Sequence, residues 1–280
     1  MRAATHRPFH VSFTILHEPA HLAVCIEERV PIVSFHLDVV SADTVATLHD
    51  GEVDVCQQVG SVAAAHSAVQ NGVDVIVAQG YEAGGHNRGG LPLFVLVPEV
   101  RAAIGDVLLL AAGAISSGRS VAAALAPGAD GVWVGSRLVA TEEADAQDEW
   151  KRRLLAATGT GSVLTSVFGP AFPAFNPMRV LGNAVVRDRD DRAWEIPADT
   201  IAGREVGELV ICDTRLKLRR FDCFPPTAAS SGDFEELPLL AGQGVGMIGS
   251  IVRAGDLVAS MIADAEAVIG ALAGGRSDQA

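Results

Sequence analysis

Aromatic residues are scarce in this chain: they fill 5% of its 280 positions, and only one is a tyrosine. A core without large rings must be filled by Val, Leu, Ile and Ala, the usual packing of parallel sheets, and the hydrophobic content of 49% supplies them. Positive charge is also short, with 21 Lys and Arg against 34 Asp and Glu and a formal net charge of −13. Such a surface repels phosphate backbones, which argues against nucleic acid as a partner. The four cysteines (Cys25, Cys56, Cys212, Cys223) form no CxxC pair and no closely spaced framework. This argues against a disulfide scaffold or a structural zinc site and fits reduced thiols in a cytoplasm. The start Met1-Arg2-Ala3-Ala4-Thr5-His6-Arg7 has no apolar h-region, and no long uncharged run could span a bilayer. The expectation is a soluble, cytoplasmic protein.

What is present is a cadence of short apolar runs, at 9–13, 31–35, 53–59, 74–78, 107–112 and 131–135. Ala- and Val-rich stretches with helical spacing lie between them, at about 18–29, 61–71 and 119–125. Ser61 is placed to cap the second of these and Gly72 to end it. Strand and helix alternating in this way predict right-handed βα units on a parallel sheet. Six strands are visible, where a closed barrel of this type has eight. After Ala140 the cadence breaks. A charged amphipathic helix is expected over 142–157, followed by a Gly/Pro-rich stretch, a charged loop at 187–192 and a mixed segment to about 240. A last helix is expected over 252–272. The organisation expected is therefore a barrel from 1–141 and 241–273, an inserted helical or irregular cap at 142–240, and a tail at 274–280.

The richest segment follows the fourth run: Gln79-Gly80-Tyr81-Glu82-Ala83-Gly84-Gly85-His86. Loops at the carboxyl ends of parallel strands aim polar groups into one crevice. Glycine lets backbone approach a ligand closely, and His moves protons near neutral pH. An enzyme is the leading reading. His36 and Asp38, ending the second run, fall on the same face and are candidates for substrate contact. By contrast, His17-Glu18-Pro19-Ala20-His21 spells a zinc-protease pattern that needs one continuous helix. Pro19 opposes helix at Glu18, so metal binding is not expected. The glycines of 242–249 imitate a dinucleotide loop without a convincing strand before them.

The 79–86 segment resembles the signature of the nitronate monooxygenases, formerly 2-nitropropane dioxygenases. Three further segments agree in order: Ala111-Ala112-Gly113-Ala114-Ile115 with Gly118-Arg119, Gly131-Val132-Trp133-Val134-Gly135-Ser136-Arg137, and Ala241-Gly242-Gln243-Gly244-Val245-Gly246. The resemblance implies an FMN-dependent (β/α)8 barrel that oxidises alkyl nitronates with O2 to a carbonyl compound and nitrite. It makes His86 the catalytic residue. It puts the FMN phosphate on Gly113, Ala114, Gly135 and Ser136, with Trp133 and Val134 lining its approach. Gln79, Gly84 and Gly85 fall beside the flavin. A phosphate site after the last two strands is also what barrel geometry favours.

Departures from the family pattern include Ala114 where a second glycine is usual, Ser117 for an acidic residue, and Ser12 for an Asn near the flavin. The family's first two βα units are not matched. The expectation is either a start upstream of Met1 or a product impaired or completed by a partner, with a homo-oligomer as one way to cover open edges. Two rival functions share these features: a flavin-dependent enoyl-acyl-carrier-protein reductase using NAD(P)H, and a non-catalytic oligomerising fragment with weakened FMN binding.

Overall fold

The structure is a computed structural model that describes residues 10–13, 19–37, 39–87, 89–169, 177–188, 204–211 and 214–274, with side chains from residue 20 onward. Six strands form one parallel sheet: β1 (His10–Phe13), β2 (Ile32–Phe35), β3 (Asp54–Val59), β4 (Val75–Gln79), β6 (Leu108–Ala112) and β7 (Gly131–Trp133), hydrogen-bonded in that order. They are the six apolar runs, with ends shifted by a residue or two. β4 is buried at every position, which is why it reads as an unbroken apolar run rather than an alternating one. The register carries Ile76 beside Leu109 and Gln57, and it brings Gln79 level with Ala112. Among the described residues β1 and β7 are the two edges of this sheet.

Helices α1 (Pro19–Glu27), α2 (Ala42–Asp50), α3 (Val62–Gln70), α4 (Leu93–Ile104) and α5 (Gly118–Leu125) alternate with the strands. The Ser61 hydroxyl accepts from the Ala64 amide, the cap expected of it. α1 starts at Pro19, where that residue's missing N–H costs nothing; His17 and Glu18 lie outside the described residues. Two helices, α2 and α4, went unread from the sequence. The first half of α4 (Leu93-Phe94-Val95-Leu96-Val97) looks like a strand, and Pro98 sits inside the helix. Leu48, Val55, Ile76, Leu96, Val97 and Leu109 form the centre of the core between these helices and the sheet, each fully buried.

α9 (Ala254–Gly274) closes the chain against α5, with Gly118 packed on Met261 and Ala265. By length and composition it could cross a membrane, with a mean hydropathy of 1.6, although Asp256, Asp264 and Glu266 interrupt it, so it is not an uncharged run. Only 17% of that window is buried, and Val258, Ile262, Ile269 and Leu272 are exposed.

Between α6 (Ser136–Val139) and this last helix, the expected helical or irregular cap holds two small antiparallel sheets as well as α7 (Asp148–Ala156) and α8 (Ala184–Asp188). One sheet joins β8 (Ser162–Thr165) and β9 (Met178–Leu181) to β5 (Gly85–His86), in the order β5-β9-β8. The other joins β11 (Thr214–Arg219), β10 (Glu205–Ile211) and β12 (Ser231–Gly232). β10 and β11 pair with one bulge near Glu205 and Gly207. β11 alternates apolar and basic residues (Thr-Arg-Leu-Lys-Leu-Arg), so its charge hid a strand period.

Candidate functional site

Strand β4 delivers Gln79 to the carboxyl edge of the sheet, and the turn that follows is held from several sides. The Tyr81 carbonyl accepts from Arg179 Nε and Nη2 at 3.2 and 3.1 Å and from Asn87 Nδ2 at 3.0 Å. Arg179 is buried, gives Nη1 to the Ser162 carbonyl, and lies 4.7 Å from the Tyr81 ring centre. Its charge is spread over carbonyl dipoles and a π-face. Glu82 does not face the cleft. Its carboxylate accepts from the Leu93 amide and so caps α4, whose N-cap Pro92 offers no side-chain bond.

The C-terminal loop locks onto this turn. A Cβ on Gly84 would lie 2.5 Å from the Gly242 nitrogen, and one on Gly244 would lie 2.7 Å from the Ala114 carbonyl oxygen. The Gln243 amide donates to the Glu82 carbonyl, and the Gly242 amide donates to Ser136 Oγ at 2.8 Å. Loops after β4, β6 and β7 are thereby brought together around one cleft of about 550 Å³.

Gln79, Gly84, Gly113, Ala114, Trp133, Gly135 and Ser136 all line that cleft, as the motifs implied. Gly113 turns at φ +121° and Ala114 at +54°. The chain thus keeps the left-handed turn without the second glycine, at the steric cost expected of Ala there. The amides of Gly135 and Ser136 open α6 and have no acceptor within that helix. Nothing lies within 4 Å of a Cβ built on Gly135, so this stretch of backbone faces open space. Gln58, Ile115, Ser116, Gly242 and Gly244 also line the cleft and were missed as site residues. No local signal marked Gln58, which pairs with Val77 inside the β3–β4 ladder.

Two residues expected at the cofactor, Gly85 and Val134, do not line this cleft. Gly85, at φ +77°, pairs with Arg179 in the β5–β9 ladder. Val134, half-buried, packs against the main core. Ser12 stands on the edge strand β1 opposite Ser34, and its side chain lies outside the described residues, as does Asp38.

His86 is not on the wall of the cleft. It sits on β5, mostly buried, and desolvation lowers its pKa from the ordinary value of 6.5. Its carbonyl accepts from Gln79 Nε2 at 3.0 Å. Its ring meets the His36 ring edge-on, with centroids 6.3 Å apart. Gln58 Nε2 lies 2.5 Å from His36 Nδ1. A second cavity of about 610 Å³ opens here, lined by His36, Gln58 and Gln79 among others. Gln58 and Gln79 belong to both cavities and form the wall between them.

Fold and crevice together define a class: a βα-barrel protein with a crevice at the carboxyl ends of its parallel strands, where such folds hold their ligands. Residues 5–264 match the family described as nitronate monooxygenase, and the chain belongs to that family. It is 35% identical over 234 residues to "Putative monooxygenase Rv1533" of Mycobacterium tuberculosis, covering 83% of this chain and 58% of that one. It is 32% identical over 235 residues to a nitronate monooxygenase of Neurospora crassa, covering 79% and 56% respectively. The chain thus spans somewhat more than half the length of these curated relatives. Among solved structures it is similar to FabK from Thermotoga maritima, with a TM-score of 0.78 and 28% identity, over 96% of this chain and 79% of that one.

Proposed function

We propose that this protein binds FMN and oxidises alkyl nitronates with O2 to a carbonyl compound and nitrite. The observation that carries the reading is the shared wall. Gln79 borders the glycine-lined cleft on one side and the His36 cavity on the other, and its amide is tied to His86. Cofactor and substrate would then meet across one side chain.

The residues present fit a flavin nucleotide. The turn at Gly113 and Ala114, the amides opening α6, and the hydroxyls of Ser116 and Ser136 would take the phosphate. Gly84 and Trp133 would flank the rest. Bound FMN supplies the electron transfer, and the protein's part is to orient and shield. His86, kept neutral by burial, offers a basic nitrogen to take the α-proton of a nitroalkane, or an N–H to hold the oxygen of a nitronate. General-base help of this kind is typically worth ~10²–10⁴-fold.

The test is oxygen uptake with nitrite release by the FMN-loaded protein given a preformed nitronate. His86→Asn should lose more activity on the neutral nitroalkane than on the nitronate. The likeness to FabK keeps an enoyl reductase as the second reading. NADH-driven reduction of an enoyl thioester, without nitrite release from nitronates, would establish it instead. A protein that cannot be loaded with FMN would end both.

A further inference from the structure

We propose that the groove between α4 and α5 is a self-association surface, in which Phe94 of each of two copies enters the groove of the other. Its walls are Leu93 and Phe94 from α4, Ala123 and Ala124 from α5, and the turn at Gly113 and Ala114 behind them. Glu82 is the one charged residue on these walls, and its carboxylate is occupied by the Leu93 amide. Phe94 stands on the rim with 75% of its surface exposed, which leaves about 150 Å² of it in water beside an apolar hollow. Val95 and Pro98, both exposed, extend this rim along α4. Apolar surface gathered in one place in this way marks an association site.

A knob and a hole side by side on one face meet reciprocally under a two-fold axis, each copy offering what the other receives. The charges beside the groove are complementary in the same sense. Glu99 on α4 and Arg119 on α5 are both exposed, and neither has an ion-pair partner among the described residues. The axis that seats Phe94 sets α4 of one copy against α5 of the other, and so brings Glu99 toward Arg119 of the second copy. Two such contacts offset part of the repulsion between chains that each carry a formal charge of −13. The groove lies over β6, since α4 leads from β4 to β6 and α5 from β6 to β7. A unit added at the β1 or β7 edge brings its helix outside that edge, so extending the sheet leaves the groove open.

The same contact reaches the glycine-lined cleft from behind. Gly113, Ala114 and Ile115 line both hollows, and Ala114 is held at φ +54°. A ring packed against this turn holds it in that conformation, so association and a ligand on the turn favour each other to an equal degree. Naming that ligand FMN rests on the function proposed above; the association does not.

Sedimentation velocity of the full chain without FMN, over a wide range of concentration, should show a reversible monomer–dimer equilibrium and nothing larger. Phe94→Ala leaves both grooves empty and Ala123→Phe fills them, so each alone should weaken the dimer about a hundredfold. Mixed together, these two variants should pair, because the open groove of the first receives Phe94 of the second. Glu99→Arg should weaken association about tenfold, and adding Arg119→Glu should restore it. FMN should tighten the wild-type dimer severalfold, and Phe94→Ala should lose FMN affinity by the same factor. A wild-type chain that stays monomeric would overturn the interface, and toluene binding to that monomer would assign the groove to a small apolar ligand instead. Growth past the dimer, variants that associate like wild type, or a mixture that does not pair would overturn it equally. A dimer indifferent to FMN, in protein whose absorbance shows FMN bound, would overturn the coupling alone. Failure to load FMN would sink the proposed function and leave the dimer standing.

Discussion

Replacing Gly84 with alanine is expected to destabilise the folded protein by about 2–3 kcal/mol, the upper part of the range for overpacking. The added Cβ would stand 2.5 Å from the Gly242 nitrogen, 2.7 Å from the Ala241 carbonyl carbon and 3.0 Å from its Cα. All three are backbone atoms, which cannot rotate away as a side chain would. Relief requires the C-terminal loop to lift from the signature turn, which also strains the bonds from Gln243 to Glu82 and from Gly242 to Ser136. Two neighbouring glycines serve as controls with different physics. At Gly85 the methyl would meet only Leu240 Cδ1 at 3.6 Å, so Gly85→Ala carries just the cost of φ +77°, about 1–2 kcal/mol. At Gly135 nothing lies within 4 Å, so Gly135→Ala should stay within about 0.5 kcal/mol of the parent. Melting curves of the FMN-free proteins read the order directly, at roughly 2–4 °C per kcal/mol for a domain of this size. A Gly84→Ala protein melting within about 2 °C of wild type, or no more affected than Gly135→Ala, would refute the packing argument. FMN retention then isolates the remaining claim, because a methyl at Gly135 projects into the cleft. Unchanged stability with weaker loading supports a ligand there, and unchanged loading removes Gly135 from the site.

Three other predictions follow from the same geometry. Ala114 sits at φ +54°, so Ala114→Gly should relieve strain and raise stability by up to about 1 kcal/mol in urea titrations; a loss would show that the turn does not need that conformation. Burial favours the neutral form of His86, so the unfolded chain takes up the proton first as pH falls. Stability should therefore decline as pH drops below about 6.5 toward the lower folded value, and His86→Gln should remove that decline; parallel pH-stability curves for the two proteins would contradict it. Cys56 is wholly buried and its thiol is pushed up to about 12, so peptide mapping should find it unlabelled by iodoacetamide at about pH 8 until the protein unfolds.

The six parallel strands, their spacing and the helices beside most of them were legible in the chain because burial on both faces leaves a continuous apolar run, a strictly local signal. The glycine turns at 84, 113 and 135 were legible for the same reason: backbone that must approach a ligand or another loop excludes side chains at fixed positions. The cap was not. Its strand β11 carries charge on alternate residues, and β5 is only two residues long, paired with a partner more than ninety positions away. The residues that complete the site escaped for a related reason. Gln58 and Arg179 belong to no glycine motif, and an isolated polar residue on a strand is ordinary until its neighbours are known. Sequence by itself determined which parallel strands form and where the glycine turns follow them. Only the tertiary structure decided that Gln79 stands between two cavities, that His86 faces a second imidazole, and that Gly85 pairs with the cap. Those facts depend on the register between distant segments, which local propensity does not encode.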